Sequence, residues 1–246
     1  MKDDDSLSER WPSHLVIAIT FKNDRNRIDY LRQVGNALVS INADKTIVVV
    51  TDQLGEEGAD EKTIRSLFPK TRVQVLVPSH IGHPLLLPWF HHDIFWSMHQ
   101  KNSNYSHFLY LEDDIRFTEA NLLYWVRARS VLQREGLIPG FLRFELTSDG
   151  TRVSSDEYQS IHFQNLPRLE TSSEIFVNLR HPYQGSYLMD RELLSEFRVS
   201  GSFNPDAGTW NIRETASRGL LYENVPRGCF SRSFLPFVPG LGIHED

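Results

Sequence analysis

Three acidic residues in a row, Glu112, Asp113 and Asp114, follow the apolar segment His107–Leu111. Clustered carboxylates repel one another unless a cation or solvent separates them. Carboxylate oxygens suit Mg²⁺ and Mn²⁺, and Mg²⁺ is usually held by one or two protein carboxylates and completed by water and substrate phosphates. The motif therefore indicates a metal–diphosphate site. A solvated acidic turn, in which Asp114 caps a local backbone group, explains the motif equally well when it is taken alone.

The histidines suggest a different metal site. Five of them fall within twenty residues, and Asp93 with the acidic triplet would complete the zinc site of a hydrolase. These five are His80, His83, His91, His92 and His99. On a helix, His91 and His92 point about 100° apart, and the spacing offers no His-x-x-x-His pair of the metalloprotease type. We therefore expect the histidines to be residues of the core or of a cleft wall.

Two nearly continuous apolar runs, Leu15–Thr20 and Ile47–Asp52, flank a segment with helical periodicity from Ile28 to Ile41. Strands with almost no alternation are covered on both faces, as in parallel sheets. This βαβ unit predicts the α/β class, with a mainly parallel central sheet flanked by helices on both faces. The remaining pattern predicts helices over 61–68, 87–99, 119–134, 191–197 and 212–219, strands over 72–77, 107–111 and 141–146, and a strand or loop over 183–189.

The predicted strand ends carry candidate binding residues, because ligands of open α/β sheets lie at the carboxyl ends of the strands. Thr20 and Asp52 end the first two strands, where they would meet a ligand bound at that edge of the sheet. An ordinary turn aspartate is an equally good reading of Asp52. Arg25 and Arg27 lie in the loop after the first strand, where they could bind phosphate, although a solvated loop arginine is the commoner case.

Four further polar residues are candidates for substrate contacts. Arg143 and Glu145 are two residues apart on the predicted strand 141–146, so both point to one face of it. If that face lines the cleft, they would contact a bound substrate. Gln184 and Ser186 are weaker candidates of the same kind.

The composition limits the classes of protein that remain. A chain of 246 residues, 40% of them hydrophobic, can bury a core of its own, so we expect one domain over residues 1–246 with a disordered start over 1–12. The net charge of −6 argues against a nucleic-acid partner. No apolar run approaches the ~20 residues of a spanning helix, and the acidic start is unlike a signal peptide. We expect a cytoplasmic protein, with peripheral contact at the inner face of a membrane left open.

The order of these segments resembles that of GT-A nucleotide-sugar glycosyltransferases, whose fold is Rossmann-like. The stretch Leu15–Asn23, the helix after it and Ile47–Asp52 resemble the opening strand, helix and strand by which these enzymes hold the nucleoside. Tyr110–Ile115 resembles their acidic metal motif, which implies that Asp114 ligates the metal and that Asp113 touches the sugar or the ribose. The nucleotide site implied in this way consists of Thr20, Phe21, Arg25, Asp52, Glu112 and Asp113.

The later chain resembles the second half of the large inverting family that includes polysaccharide synthases. The similarity lies in the stretches 184–192, 210–219 and 221–226. It implies that Glu214 is the catalytic base, with Asp206 as the nearby substitute. The resemblance to GT-A enzymes also implies that the tail 227–246 closes over the site and brings His244 to the metal as a further ligand.

The function implied by the resemblance is the metal-dependent transfer of a sugar from a UDP- or GDP-linked donor to an acceptor hydroxyl. The implied cofactor is Mn²⁺ or Mg²⁺. The acceptor would be a glycan, a glycolipid or a small molecule in polysaccharide biosynthesis, and inversion at the anomeric carbon is slightly favoured. Two alternatives stay open: a hydrolase or nucleotidyltransferase that uses the same metal–diphosphate chemistry, and a non-catalytic module that binds nucleotide or carbohydrate.

Overall fold

The computed structural model describes residues 11–55, 58–79, 82–154, 163–172, 174–204 and 211–237. The chain divides into two compact units. The first unit contains Met1–Val126 and Gln184–Gly219, and the second contains Arg127–Tyr183 and Leu220–Asp246. The expectation of one domain over residues 1–246 stays a prediction.

The strands are numbered along the chain and differ greatly in length. They are β1 (Leu15–Phe21), β2 (Lys45–Thr51), β3 (Arg72–Leu76), β4 (His107–Glu112), β5 (Ile138–Pro139), β6 (Glu145–Leu146), β7 (Arg152–Val153), β8 (Arg168–Glu170), β9 (Ile175–Asn178), β10 (Ser186–Asp190) and β11 (Ser233–Phe237).

The central sheet belongs to the first unit and has the strand order β10-β4-β1-β2-β3. β1 is buried from Leu15 to Ile19 and pairs in parallel with β2 and with β4, and β2 pairs in parallel with β3. The predicted α/β class with a mainly parallel central sheet is confirmed. β10 is the exception, because it runs antiparallel to β4. Its apolar residues Tyr187–Met189 are all buried, so the hydrophobic pattern carried no sign of its direction.

The helices are numbered along the chain, and the first three connect consecutive strands of the central sheet. They are α1 (Ile28–Val39), α2 (Glu61–Ser66), α3 (Phe90–Lys101), α4 (Glu119–Leu132), α5 (Arg191–Val199) and α6 (Ile212–Ser217). α3 packs against β1, and α5 packs against β10 and β4. Within the described ranges, no helix has the length and apolar character needed to cross a membrane.

The helix predicted over 87–99 begins differently from its prediction. A 3₁₀ helix, Pro84–Trp89, comes first, and α3 starts only at Phe90. The His83 side chain caps the 3₁₀ helix by accepting a hydrogen bond from the amide of Leu85, at 3.1 Å.

The second unit contains a sheet of order β5-β11-β9-β8 and a separate hairpin of β6 and β7. The prediction of a strand over 141–146 is wrong except for Glu145–Leu146. β11 lies between β5 and β9, so the first part of the segment predicted to be a closing tail is a strand of this sheet. Pro236 is tolerated there because β5 pairs only with Ser233 and Phe234 and leaves the rest of that side of β11 unpaired with it.

Candidate functional site

The parallel register brings the carboxyl ends of β1, β2 and β4 to one edge of the central sheet. Thr20 lies opposite Val50 on one side and opposite Glu112 on the other. The antiparallel strand β10 starts at the same edge, where the carbonyl of Gly185 accepts a hydrogen bond from the amide of Glu112, at 3.0 Å. Seven predicted residues therefore lie at or next to strand ends at this edge: Thr20, Asp52, Glu112, Asp113, Asp114, Gln184 and Ser186.

A salt bridge occupies the acidic motif. The guanidinium of Arg27 donates from Nε to Oδ2 of Asp113, at 2.8 Å, and from Nη2 to Oδ1 of the same carboxylate. Nη2 also donates to Oδ2 of Asp114, at 3.0 Å. Asp113 is 3% exposed, whereas the side chains of Arg27 and Asp114 are 33% and 40% exposed. The cation beside the clustered carboxylates is thus a protein side chain.

The electrostatics of this group follow from burial and pairing. Burial raises the pKa of Asp113, and the hydrogen bond and charge of Arg27 offset only part of that rise. The hydrogen bond to Asp113 raises the pKa of Arg27, so the guanidinium keeps its charge at every physiological pH. A bidentate guanidinium–carboxylate pair is among the strongest and most directional contacts that a protein can make.

Local sequence fixes the position of Arg27. The 3₁₀ helix Arg25–Arg27 begins after Asp24, whose carboxylate accepts a hydrogen bond from the amide of Asn26, at 2.8 Å. The amide of Arg27 donates to the carbonyl of Asp24, at 2.9 Å, and α1 follows immediately at Ile28. Arg27 is therefore the last residue of a capped turn that leads into a helix, and its side chain is directed from a fixed backbone.

A second link ties the same loop to the loop after β2. The side chain of Asn23 donates to the carbonyls of Gln53 and Ala59 and accepts from the amide of Ala59, each at 2.8 Å. The amide of Asn23 donates to Oδ1 of Asp52, at 2.9 Å. Asn23 is 1% exposed, and a Cβ atom at Gly58 would clash with its side chain. Asp52 thus helps to hold the loop, which is the turn role that the sequence left open.

Asn23 was not singled out by sequence reasoning as a residue with a role. An asparagine just after a buried strand is a known signal for a turn that hydrogen-bonds to neighbouring backbone. That signal does not say which loop the amide reaches, because Ala59 lies 36 residues further along the chain.

The other predicted residues of the first unit lie in different environments. Phe21 is completely buried and belongs to the core, whereas Arg25 is exposed. Oε1 of Gln184 and Oε2 of Glu214 are buried and have no hydrogen-bond partner among the described residues. Glu214 lies in α6, which packs against the 3₁₀ helix Pro84–Trp89.

The remaining predicted residues do not lie in the described part of the first unit. Arg143 and Glu145 belong to the second unit, where their side chains form an ion pair at 3.4 Å. Arg143 also lies over the ring of Tyr183, at 4.4 Å from its centroid. Asp206 and His244 fall outside the described residues.

His91 and His92 are core residues, as expected, whereas His83 is exposed. His91 is 1% exposed, and it stacks on Tyr110 with a ring separation of 4.0 Å. Since the carbonyl of Pro88 can only accept, Nδ1 of His91 donates to it, and Nε2 accepts from the hydroxyl of Tyr187. Burial lowers the pKa of His91 to about 3 and that of His92 well below its usual value. His80 lies outside the described residues.

The residues present do not fit a divalent ion as they stand. Asp113 and Asp114 are chemically suitable ligands, but both oxygens of Asp113 and one of Asp114 accept hydrogen bonds from Arg27. In the part of the chain that the structure describes, no group of three or more His, Cys, Asp or Glu residues is arranged to hold a metal. The expectation of Mn²⁺ or Mg²⁺ stays a prediction.

A shallow groove, which was not predicted, also lies in the first unit. Its lining residues are Gln33, Asn36, Ala37, Ser40, Arg116 and Thr118. This lining includes neither Arg27 nor the carboxylates that it contacts, so the charged group is separate from the groove.

Comparison of the sequence with models of protein families gives no match, and comparison with curated proteins gives no significant match.

Proposed function

We propose that the protein is a glycosyltransferase of the GT-A fold, which moves a sugar from a nucleoside-diphosphate donor to an acceptor hydroxyl. The observation that carries the proposal is the bidentate pairing of Arg27 with Asp113 at the carboxyl end of a mainly parallel sheet. This is the edge at which open α/β sheets bind their ligands. An arginine held there by a buried carboxylate offers a planar set of donors that suits phosphate oxygens.

The chemistry required is the departure of a nucleoside diphosphate. Negative charge grows on the leaving diphosphate as the bond from the anomeric carbon breaks, and a fixed cation lowers the barrier most when it is already oriented. Arg27 would stabilise that charge, and Asp113 would hold Arg27 in place. Asp114 is partly exposed and could accept a hydrogen bond from a hydroxyl of the sugar or the ribose. The acceptor would be a glycan, a glycolipid or a small molecule.

Glu214 is the proposed general base. A base must remove the proton of the acceptor hydroxyl as that oxygen attacks the anomeric carbon. Oε2 of Glu214 is buried and has no hydrogen-bond partner within the described ranges, so it keeps an acceptor site for such a proton. The proposed steps draw on these side chains alone, and none of them runs through a metal ion.

A panel of nucleotide sugars tests the proposal. UDP-, GDP-, CMP- and dTDP-linked sugars are added with and without Mn²⁺ to the wild type and to Asp114→Ala, and melting temperatures are recorded, because a ligand of the native state raises the melting temperature. We expect one nucleotide class to stabilise the wild type and to stabilise the variant less. If no donor raises the melting temperature under any condition, the proposal is wrong.

The competing functions give different outcomes with the same donor. Glu214→Gln should retain donor binding and lose sugar transfer. Equal consumption of the donor with and without any acceptor would indicate a hydrolase or a nucleotidyltransferase. Donor binding without turnover, unaffected by Glu214→Gln, would indicate a binding module. Screening of acceptors that include lipid-linked glycans would also test whether the acceptor is a glycolipid.

A further inference from the structure

The acidic motif already has its counter-ion, and this bears on the metal that the resemblance implies. Asp113 has two carboxylate oxygens, and Arg27 donates to both of them. A divalent ion could bind Asp113 only after displacing the guanidinium. Asp113 is 3% exposed, whereas Mg²⁺ keeps several of its waters and demands near-octahedral geometry. Exchange of Arg27 for a hydrated ion would therefore require the site to open.

Arg27 has donors left over after it has bound the carboxylates. A guanidinium carries five N–H bonds. The contacts to Asp113 and Asp114 are made by Nε and Nη2, which together carry three of them. Nη1 makes no hydrogen bond to any residue that the structure describes. With one third of the side chain exposed, solvent or a ligand can reach the group.

We propose that Arg27 takes the place of the divalent cation in this site, so that the diphosphate of the donor binds to the Nη1 side of the guanidinium without metal. This inference rests on the proposed function, since it assigns the group that holds the donor. Asp113 acts as a positioning residue: its buried carboxylate fixes the plane of the guanidinium and leaves Nη1 directed away from the pair. The ligand recognised here is a diphosphate, and the titrations described below determine which nucleoside it carries.

The test has two arms and uses the full chain. In the first arm, UDP and GDP are titrated by calorimetry into the wild type in EDTA and in Mn²⁺. The variants are Arg27→Ala, Arg27→Lys, which keeps the charge but loses the fork, and Arg32→Ala. Arg32 serves as the matched control because it pairs with Asp29 on the exposed face of α1.

We expect one nucleotide to bind the wild type in EDTA with an affinity within threefold of that in Mn²⁺. Arg27→Ala should weaken binding at least tenfold, Arg27→Lys by a smaller factor, and Arg32→Ala by less than twofold. Binding that requires Mn²⁺, or that Arg27→Ala leaves unchanged, would overturn the inference.

The second arm measures Mn²⁺ alone by electron paramagnetic resonance, with no nucleotide present. If the guanidinium occupies the carboxylates, Arg27→Ala should bind Mn²⁺ at least tenfold more tightly than the wild type, and Arg32→Ala should match the wild type. Equal Mn²⁺ affinities in the wild type and Arg27→Ala would overturn the claim that Arg27 takes the ion's place. Because this arm needs no donor, it separates a failure of this inference from a failure of the glycosyltransferase proposal. Arg27→Gln, which also removes the charge but keeps more of the side-chain volume, supplies the same comparison if Arg27→Ala does not fold.

Discussion

The loop after β1 is linked toward β2 by hydrogen bonds and toward β4 by a salt bridge, and the two links differ in chemistry. Toward β2, the neutral amide of Asn23 is buried and uses its oxygen and both of its N–H bonds on backbone groups. Toward β4, the charged guanidinium of Arg27 is partly exposed and uses three of its five N–H bonds on carboxylates. The first link is buried and has no N–H donor left for a ligand. The second has both charge and spare donors, so it is the side on which binding is expected.

The energetics of the two links also indicate that their roles differ. A buried side-chain amide whose donors are all paired needs no further contact, and removing that of Asn23 leaves the backbone amide of Ala59 unpaired. A buried ion pair is weak evidence for a role in stability, because desolvation offsets much of the attraction between its charges. Burial raises the pKa of Asp113 despite the adjacent guanidinium, which shows that this cost is present here. We therefore assign the Asn23 link a role in stability and the Arg27 link a role in ligand binding.

The largest expected effect on stability is that of Asn23→Ala. It leaves the amide of Ala59 without a partner and removes one hydrogen bond from each of the carbonyls of Gln53 and Ala59, so the free energy of unfolding should fall by about 3 kcal/mol. Urea denaturation measures this fall. Asn26→Ala, an exposed asparagine in the same loop, is the control and should change stability by less than about 0.5 kcal/mol. If the free energy of unfolding of Asn23→Ala falls by less than about 1 kcal/mol, the Asn23 link does not have the stabilising role assigned to it.

Arg27→Ala should cost less stability than Asn23→Ala, about 2 kcal/mol, because solvent can enter where the exposed part of the guanidinium was. The added change Asp113→Asn should restore part of the loss, since the carboxylate is then no longer buried without a partner. Urea denaturation of the single and double variants gives the coupling between the two side chains. Coupling near zero would show that the pair is not formed in solution.

The two links should also differ in their response to pH. A carboxyl whose pKa is higher in the folded chain than in the unfolded one adds stability below its unfolded pKa, about 3.9, and loses it as the pH rises through the folded value. Burial raises the pKa of Asp113, so the excess stability of the wild type over Asp113→Asn should shrink as the pH rises from acid toward neutral. The loss caused by Asn23→Ala should stay constant over the same range. Urea denaturation at a series of pH values checks both, and an excess that grows with pH would contradict the first.

The smallest expected difference is in salt dependence. The Arg27 link is partly exposed, so the stability lost in Arg27→Ala should shrink by a few tenths of a kcal/mol between about 0.05 M and 0.5 M NaCl. The loss in Asn23→Ala should not change, because both partners of its hydrogen bonds are neutral. Thermal unfolding at the two salt concentrations makes this comparison. A salt response that is the same for both variants would mean that charge does not distinguish the links.

The elements of the first unit were largely predictable, and those of the second were not. β1, β2 and β4 are apolar runs that are buried on both faces. Such a run predicts a strand from the local sequence alone, without knowledge of the neighbouring strands. In the second unit, β8 has two exposed residues out of three, and β6 is exposed throughout. Such strands are defined by their pairing partners, which a hydrophobic pattern does not reveal.

The candidate site was predictable in its residues but not in its connections. The acidic motif and Arg27 were both recognised, one as a metal site and the other as a phosphate-binding loop residue. Their contact spans 86 residues and depends on β4 lying beside β1, which no local pattern encodes. Elementary electrostatics required either a cation or solvent beside the carboxylates, whereas the identity of the cation depended on the strand order.

The most direct test of the central claim follows Arg27 itself as a nucleotide is added. The arginine Nε–H signals of the isotope-labelled protein are recorded by NMR in EDTA, and the Arg27 signal is assigned by its loss in Arg27→Lys. On addition of UDP or GDP, we predict a saturable shift of the Arg27 signal and no shift of Arg65, which pairs with Glu61 on α2. An Arg27 signal that stays in place at saturating concentrations of both nucleotides would contradict the account.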